Sequence, residues 1–495
     1  VIDIQLEEDI SALDEIVVTA LGIEREKKTL GYATANVAPE EVTTNRQPQF
    51  MNALTGKVAG VKITQLGSGP GGSTKIRIRG VSSFGGNNQP LIVVNGVPID
   101  NQNFGTANGT NVEGDVAGSN TADTGDGLSS INPDDIESMS ILKGGPAAAL
   151  YGYRAKDGVI MITTKNRADG SGLQVEYNLN YTNGSIYDLR DYQFEYGMGE
   201  QGVRPTDPFP VSGQWSFGEP MGGVFTIFGD QNVPYEPQRD QLRDFYRNSS
   251  NVTNTISLST GGDNGGTNVS ISDLTSKGIQ PGNTFNRKTI NFGFTHRISK
   301  LNVSGNINYS NEDNVGAPGT SQQQFSSVVM YNIANTIPMS VMKEWAFDEL
   351  GNENPWSRFR LRTNPYFTLS RINNVVRDRV FGNVTARLDL TDNLYIQGRV
   401  GQDYWQRDQE INTPTGSQFL SSAPPGLVNG EYVKDLRTFR ELNTDFLVGY
   451  NETFGDIGVS VNFGGNHMYQ QTDINTDEGQ NFFQRGLYTI QNAAQ

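Results

Sequence analysis

Residues 67–72, GSGPGG, are the first in the chain whose spacing suggests chemistry, because they satisfy the G-x-G-x-x-G pattern of dinucleotide-binding loops. In that motif a helix follows the glycines, and its N-terminus holds the pyrophosphate. Here the run TKIRIRG follows, and its alternating β-branched residues predict a strand. We therefore do not expect dinucleotide binding at this loop.

The other residue types that perform catalysis or hold metals are scarce. The chain has no cysteine, and its two histidines, His296 and His467, stand in no H-E-x-x-H pattern. No serine has a nucleophile-elbow context, and acidic pairs in loops are too common to indicate a glycosidase. The loop acids Asp115, Asp123 and Asp126 are candidate Ca²⁺ ligands at an exposed site. Apart from that candidate calcium we expect no cofactor, and we expect the protein not to be an enzyme.

A segment near the N-terminus is better suited to binding a partner protein than to catalysis. The segment LDEIVVTALG, residues 13–22, is short, apolar and β-branched, and the charged run EREKK follows it. It is either an ordinary edge strand of the next domain or an extended peptide that adds as a strand to a partner's sheet. In the second case backbone hydrogen bonds give affinity, and alternate side chains give specificity. The position of the segment before a globular unit favours the second interpretation.

Composition limits the class of protein. The net charge of −16 argues against nucleic acid as a partner, since nucleic acid selects a basic face. The 495 residues predict at least two structural units, and no stretch approaches the ~18 to 20 apolar residues of a spanning helix. Transmembrane β-barrels escape this criterion, because their strands alternate lipid-facing and lumen-facing residues. The chain also opens without a signal peptide, which suggests a mature or trimmed N-terminus.

From about Leu173 the sequence alternates strictly. In LQVEYNLNYT, residues 173–182, every apolar side chain falls on one face of a strand and every polar side chain on the other. The same phasing recurs to give about nine candidate strands, most of them near the ~9–11 residues of a tilted membrane strand. The candidate strands are 173–182, 252–260, 267–276, 290–298, 301–309, 380–390, 394–400, 442–450 and 457–463.

Loop lengths separate a barrel from a soluble sandwich. If the first strand runs outward, the inner turns are short, at 261–266, 299–300, 391–393 and 455–456. The four outer connections are at about 187–250, 277–284, 314–378 and 407–440, and all but the second are long. Membrane barrels sort their loops in this way, and sandwiches have no reason to. An odd number of strands cannot close an even-stranded barrel, so we expect further strands outside the sequence given.

Residues 46–168 contain short β-branched runs between glycine-rich turns, which predict a small mixed α/β domain with a short helix near 146–151. Three of its segments resemble the plug signature of the SusC/RagA family of TonB-dependent outer-membrane transporters. They are LTGKVAGVKI (54–63), GGSTKIRIRGVSSFGGNNQPLIVVNGVPID (71–100) and INPDDIESMSILKGGPAAALYGYRAKDGVIMITTK (131–165). Asn95 departs from the usual Asp, and KGGP at 143–146 lacks the acidic residue that often follows the lysine.

The resemblance implies a domain order. Residues 1–12 resemble the end of a small regulatory domain, and residues 13–45 the TonB box and a linker. Residues 46–168 would be the plug, and residues 169–495 the N-terminal part of a membrane barrel of about 22 strands around a plugged lumen. The residues implied to bind TonB are Asp14, Glu15, Ile16, Val17, Val18, Thr19, Ala20 and Leu21.

The resemblance also implies partners and a location. We expect import of oligosaccharides or peptides across the outer membrane of a diderm bacterium, with the plug and TonB box facing the periplasm. The implied partners are TonB with its inner-membrane motor, a SusD-like surface lipoprotein as a lid, and outer-membrane lipid. In KIRIRG, Arg77 and Arg79 lie on one face of the predicted strand and would brace the plug against barrel carboxylates, with a solvated strand face as the alternative.

Two other functions stay open. The same barrel could be a structural or accessory subunit of a larger outer-membrane assembly or secretion complex. A secreted β-sandwich adhesin or enzyme is the other alternative, and the loop lengths and the plug segments disfavour it. The identity of the cargo does not follow from the sequence, because specificity resides in long loops.

Overall fold

The computed structural model describes residues 16–18, 24–26, 34–44, 46–65, 69–83, 88–101, 123, 125–144, 151–168, 170–206, 215–318, 329, 331–357, 363–418, 420, 423–455 and 457–494. Among the helices it describes, none has the length and apolar character needed to span a membrane.

A short hairpin forms at the N-terminus. Strand β1 (Ile16–Val18) pairs antiparallel with β2 (Glu24–Glu26), and Val17 lies opposite Arg25. Three of the eight residues predicted to bind TonB are therefore in a strand. The remaining five lie outside the described residues.

The next unit is a five-stranded mixed sheet. Its strands are β3 (Thr34–Val37), β6 (Leu91–Val94), β7 (Val97–Ile99), β8 (Ile136–Leu142) and β9 (Val159–Thr164). Their order in the sheet is β3-β8-β9-β6-β7, and of the pairs in this order only β6 with β9 is parallel. A separate hairpin joins β4 (Val61–Gln65) to β5 (Thr74–Ile78). We call residues 34–168 the plug unit, which extends into the segment predicted as a linker because β3 completes its sheet.

Short helices connect these strands. Helix α1 spans Pro39–Thr43, and four 3-10 helices span Phe50–Leu54, Gly127–Ser130, Pro133–Asp135 and Gly152–Ala155. The short helix predicted near 146–151 lies almost wholly outside the described residues. One face of the sheet packs with α1, β4 and β5 around a core that includes Val42, Phe50, Ile76, Ile141 and Ile160.

The turn between β6 and β7 consists of Asn95 and Gly96, with φ values of +50° and +81°. A two-residue hairpin turn of this kind needs positive φ at both positions, which is why Asn-Gly is the preferred pair. The Asn95 side chain secures the turn, because it donates to Thr164 Oγ1 at 2.9 Å and accepts from the Thr164 N–H at 3.0 Å.

After residue 168 most of the described strands form one nine-stranded antiparallel sheet, which confirms the predicted strand number and fold class. The order is β10-β13-β14-β15-β16-β17-β18-β19-β20, so each strand pairs with the next in the sequence. We call this sheet the wall. Its strands are β10 (Gly172–Gly184), β13 (Ser249–Gly261), β14 (Gly265–Lys277), β15 (Thr284–Ile298), β16 (Leu301–Val315), β17 (Asn373–Asp389), β18 (Leu394–Thr413), β19 (Val428–Phe454) and β20 (Ile457–Phe482).

The two faces of the wall differ as the alternation predicts. On β17, Val380, Val384 and Leu388 are exposed on the outer face, while Arg377 and Arg379 are buried on the inner face, against the plug unit. The outer face suits lipid, and the inner face is polar.

Connections at the two ends of the wall also differ as expected. At one end, the turn end, four connections are short, at 262–264, 299–300, 390–393 and 455–456. At the other, the loop end, connections 185–248 and 316–372 are long. The connection between β18 and β19 is shorter than predicted because both strands continue further. Their extensions carry charged pairs on the outer face, such as Lys434 with Asp408 at 2.8 Å, so the apolar alternation ends before the strand does.

The two long connections pack against each other. They contain β11 (Phe225–Phe228), β12 (Gln231–Pro234), α2 (Gln241–Phe245), α3 (Met339–Glu344) and α4 (Pro365–Thr368). Met198, Tyr235 and Leu242 of the first connection share a core with Ile337 and Met342 of the second. The loop end therefore carries a small folded layer of its own.

Candidate functional site

The interface between the plug unit and the wall is the candidate functional site, because it concentrates the buried charged side chains of the described residues. The wall contributes inward-facing residues of β16, β17, β18 and β19, which alternation places two residues apart. The plug unit contributes the β6–β7 turn and residues 123–135, which two of the 3-10 helices hold against the wall.

At its centre, Arg379 of β17 and Asp403 of β18 form an ion pair with both side chains 0% exposed. Arg379 Nε and Nη2 donate to the two carboxylate oxygens of Asp403 at 2.8 and 2.7 Å. The same guanidinium donates to two plug carbonyls, Asp100 O at 2.9 Å and Gly127 O at 3.0 Å. The Asp100 N–H in turn donates to Asp403 at 2.8 Å. One fork therefore joins two wall strands and two plug segments.

A second group of hydrogen-bonded side chains lies closer to the loop end, at Arg377, the next inward-facing residue of β17. Glu312 of β16 accepts hydrogen bonds from Arg377 and from the hydroxyls of Ser129 and Ser130, at 3.1 and 2.8 Å for the serines. Arg377 also donates to Asp126 O at 3.2 Å. Burial raises the pKa of Asp126 to about 7, although its carboxylate accepts from the Thr74 and Leu128 backbone N–H groups.

Nearer the turn end, the wall contacts the β6–β7 turn. Asn383 donates to Asn95 O at 2.8 Å. A Cβ on Gly96 would stand 1.9 Å from Arg399 Nη1, so the turn touches the wall closely. Arg399 is held by Asp445 at 2.8 Å.

Further contacts ring the plug unit. Asp134 accepts from Thr255 Oγ1 at 2.7 Å, and Asp135 accepts from Ser270 Oγ. On the opposite side, Arg154 of the plug unit donates to both carboxylate oxygens of Glu441, at 2.9 and 3.1 Å. The described interface thus contains many hydrogen bonds and ion pairs, which water can replace if the two parts separate. It also has an apolar contact, because Phe381 of β17 is buried in the core of the plug unit.

The two arginines predicted to brace the plug are placed differently from the expectation. Arg77 lies on β5 opposite Lys62 and is half-buried, and its Nε has no partner among the described residues. Strand β5 ends at Ile78, and Arg79 is exposed with φ +57°. The two side chains therefore do not share a strand face, because the chain turns at Arg79. Bracing by Arg77 and Arg79 stays a prediction.

The candidate calcium ligands are only partly described. Asp115 lies outside the described residues. Asp123 and Asp126 are buried in the plug unit rather than exposed, and Asp123 accepts from the Ser73 N–H at 2.7 Å. Among the described residues no group of three or more acidic or histidine side chains could hold a metal ion.

Sequence reasoning missed the arginines of the wall. They occupy inward positions that were read only as polar. The pattern RDR at 377–379 carries a usable signal, since two arginines two residues apart on a lumen-facing strand must find acceptors inside the lumen. The described contacts of the interface are buried arginine–carboxylate pairs and arginine–carbonyl hydrogen bonds, which hold the plug unit against the wall.

Glu353, in the second long connection, carries a pH-dependent contact. Glu353 is only 2% exposed. Its carboxyl group accepts hydrogen bonds from the backbone N–H groups of Asn364 at 2.7 Å and Gln418 at 3.0 Å. It therefore joins two outer connections. Burial raises the pKa of Glu353 from 4.5 to about 7.

A raised pKa makes these loops most stable at low pH. Below about pH 4.5 the carboxyl is protonated in both states, and as the pH rises through 7 the folded state loses up to ~3 kcal/mol relative to the unfolded state. We expect the thermal unfolding midpoint of the full-length protein to fall between pH 5 and 8, and to fall less in Glu353→Gln. The exposed Glu349→Gln is the control; an unchanged pH slope in Glu353→Gln would contradict the assignment.

Comparisons with known proteins agree with this architecture. The sequence pattern of the TonB-dependent Receptor Plug Domain matches residues 26–159. The chain is 25% identical to the TonB-dependent receptor P39 of Formosa agariphila over 97% of its own length and 41% of that protein. It is 38% identical to the TonB-dependent receptor SusC of Bacteroides thetaiotaomicron over 35% of its own length and 16% of SusC.

The fold also matches solved structures. The structure of the RagAB peptide importer in the 'open-open' state superposes with a TM-score of 0.69 at 17% identity, over 97% of this chain and 52% of that one. The chain thus spans less than half of P39 and about half of the matched RagAB chain.

Proposed function

Because this chain is a SusC/RagA-like TonB-dependent receptor, we propose that it forms the plug and part of the barrel of an outer-membrane importer for large nutrients, oligosaccharides or peptides. The turn end faces the periplasm and the loop end faces outward. A SusD-like lipoprotein covers the loop end. Cargo enters when the plug unit is displaced from the wall.

The observation that supports this proposal is the polar attachment of the plug unit. The wall arginines Arg377 and Arg379 hold plug carbonyls, and plug serines and acids bond to wall side chains. An apolar interface would resist separation, because the hydrophobic free energy of the buried area would be lost on opening. Exchangeable hydrogen bonds let the plug unit be both sealed and movable.

Energy must be delivered mechanically through the N-terminal segment. TonB would capture residues 14–21 by adding a strand beside them, with backbone hydrogen bonds providing affinity. The segment precedes β3, the first strand of the plug sheet, so a pull on it is transmitted to the plug unit.

Deleting residues 14–21 from the full-length receptor tests this proposal. We expect uptake of labelled nutrient to fall to the level of cells lacking the receptor, while nutrient binding at the cell surface stays normal. Val17→Pro should reproduce the loss, since proline removes a backbone donor from the strand. Glu7→Pro, outside the predicted TonB box, is the matched control. Uptake at the normal rate in the deletion would refute TonB-dependent import.

A further inference from the structure

Arginines stand side by side on the inner face of the wall. The strand register places Glu312 opposite Arg377, Arg377 opposite Arg407, and Arg407 opposite Arg437. Directly opposed residues in an antiparallel pair have Cβ atoms about 5 Å apart. We call Arg377, Arg407 and Arg437 the arginine row; it crosses β17, β18 and β19 at the level of plug residues Asp126 and Ser129.

The carboxylate that pairs with Arg407 and Arg437 does not balance their two charges. Glu312 pairs with Arg377, while Asp435 serves both of the other arginines. Arg437 Nε and Nη2 donate to Asp435 at 2.8 and 3.0 Å, and Arg407 Nη2 donates to the same carboxylate. Two guanidinium groups on one carboxylate leave one positive charge. Like charges directly opposite each other destabilise a sheet. The arginine row therefore lowers the stability of the wall, and side-chain packing gives no reason for placing three arginines there.

Arg407 also has unused donors. Its side chain is 2% exposed, yet Nε and Nη1 have no hydrogen-bond partner among the described residues. Buried donors of a charged group are seldom left unpaired, since they lose water without replacement. Arg437 beside it is 11% exposed and gives the pair a solvent-facing side. The two side chains therefore suit acceptor oxygens that carry negative charge.

We propose that Arg407 and Arg437 bind an acidic group, a carboxylate or a sulfate, carried by the imported molecule. Guanidinium groups match both anions, and such charge-assisted hydrogen bonds are strong in a buried site. The cargo is thus an acidic oligomer. Its acidic group binds the arginine row beside the plug residues Asp126 and Ser129. This inference rests on the proposed import function only for the source of the acidic group.

Binding to the purified full-length receptor in detergent tests the inference. The probes are sodium sulfate and sodium glucuronate, with glucose as the neutral comparator, all at ionic strength held constant with sodium chloride. We expect at least one anion to raise the thermal unfolding midpoint with a saturable dose dependence, and glucose to have no effect. A response to sulfate alone assigns sulfate esters to the cargo, and a response to glucuronate alone assigns carboxylates. A response to both assigns an anion site that accepts either group.

Variants locate the site. Arg407→Gln and Arg437→Gln should weaken anion binding about tenfold or more, the loss expected for one charge-assisted hydrogen bond. Asp435 keeps Thr476 at 2.8 Å and one arginine in either variant, so the sheet keeps its pairing. Arg440→Gln, on the exposed face of the same strand, should bind as the unmodified receptor does. If Arg407→Gln does not insert in the membrane, Arg407→Lys keeps the charge but loses most donors and should show the same weakening.

The inference is overturned if neither anion stabilises the unmodified receptor more than glucose does, or if the Arg407 and Arg437 variants bind as tightly as Arg440→Gln. The assay contains no TonB. A failure of the import proposal would appear in cells as uptake that survives deletion of residues 14–21, so the two can fail separately.

Discussion

Replacing Asp403 by leucine is expected to destabilise the plug unit in its wall by about 3–5 kcal/mol, since removal of one partner leaves a buried charge uncompensated. Arg379 would retain its two plug carbonyls but lose both carboxylate oxygens. The measurement is the free energy of unfolding of the full-length receptor in detergent. In cells, a loosened plug should raise sensitivity to antibiotics too large for porins.

The double variant Arg379→Met with Asp403→Leu separates the two causes of instability. If the cost comes from the uncompensated charge of Arg379, the double variant should recover part of the loss, because apolar pairs often replace buried ion pairs without penalty. Recovery is incomplete because the carbonyls of Asp100 and Gly127 lose their Arg379 donors. Asp392→Leu, in an exposed turn, is the control for the loss of one carboxylate. An Asp403→Leu protein as stable and as impermeable as this control would show that the pair does not hold the plug.

Alanine at Gly96 is expected to be a damaging single-methyl addition in the plug unit, for two separate reasons. The backbone there has φ +81°, which costs a residue with a side chain about 1–2 kcal/mol. The added Cβ would also stand 1.9 Å from Arg399 Nη1, and Arg399 cannot retreat freely because Asp445 holds it at 2.8 Å. The unfolding midpoint should fall, and Asn383 should lose its bond to Asn95.

Gly56→Ala provides a matched control for the backbone term. Gly56 has φ +78°, and nothing lies within 4 Å of its added Cβ. The difference between the two variants therefore measures the contact with the wall. That difference should shrink when Arg399 is also replaced by alanine, as expected for directly coupled residues. Equal losses in Gly56→Ala and Gly96→Ala would mean that the turn does not press on Arg399.

The wall was largely predictable because lipid and lumen impose a period of two on its strands. Residues such as Val380, Val384 and Leu388 reveal the strand by type alone. Prediction failed at the loop end, where Lys434 and its acidic partners make both faces polar and the strands continue without a periodic signal.

The interface was harder to predict, because its partners are distant in sequence. Arg379 and Gly127 are separated by 252 positions, and no local pattern connects them. Many acceptors are also backbone carbonyls, which every residue has. The motif KIRIRG suggested plug arginines on wall acids, while the described forks at the centre run from wall arginines to plug carbonyls. Arg154 with Glu441 is a plug arginine on a wall acid, and although Arg154 lies in the plug signature its sequence context did not indicate this role.

Strand β3 has a mechanical consequence through its place in the plug sheet. It lies at the sheet edge and, among the described residues, pairs with β8 alone, through four residue pairs, whereas β9 lies between two neighbours. A tensile load entering from the N-terminus reaches β3 before any other strand of that sheet. Under such a load β3 should therefore separate from β8 first, while the hydrogen bonds of Arg377 and Arg379 to the plug unit are still intact.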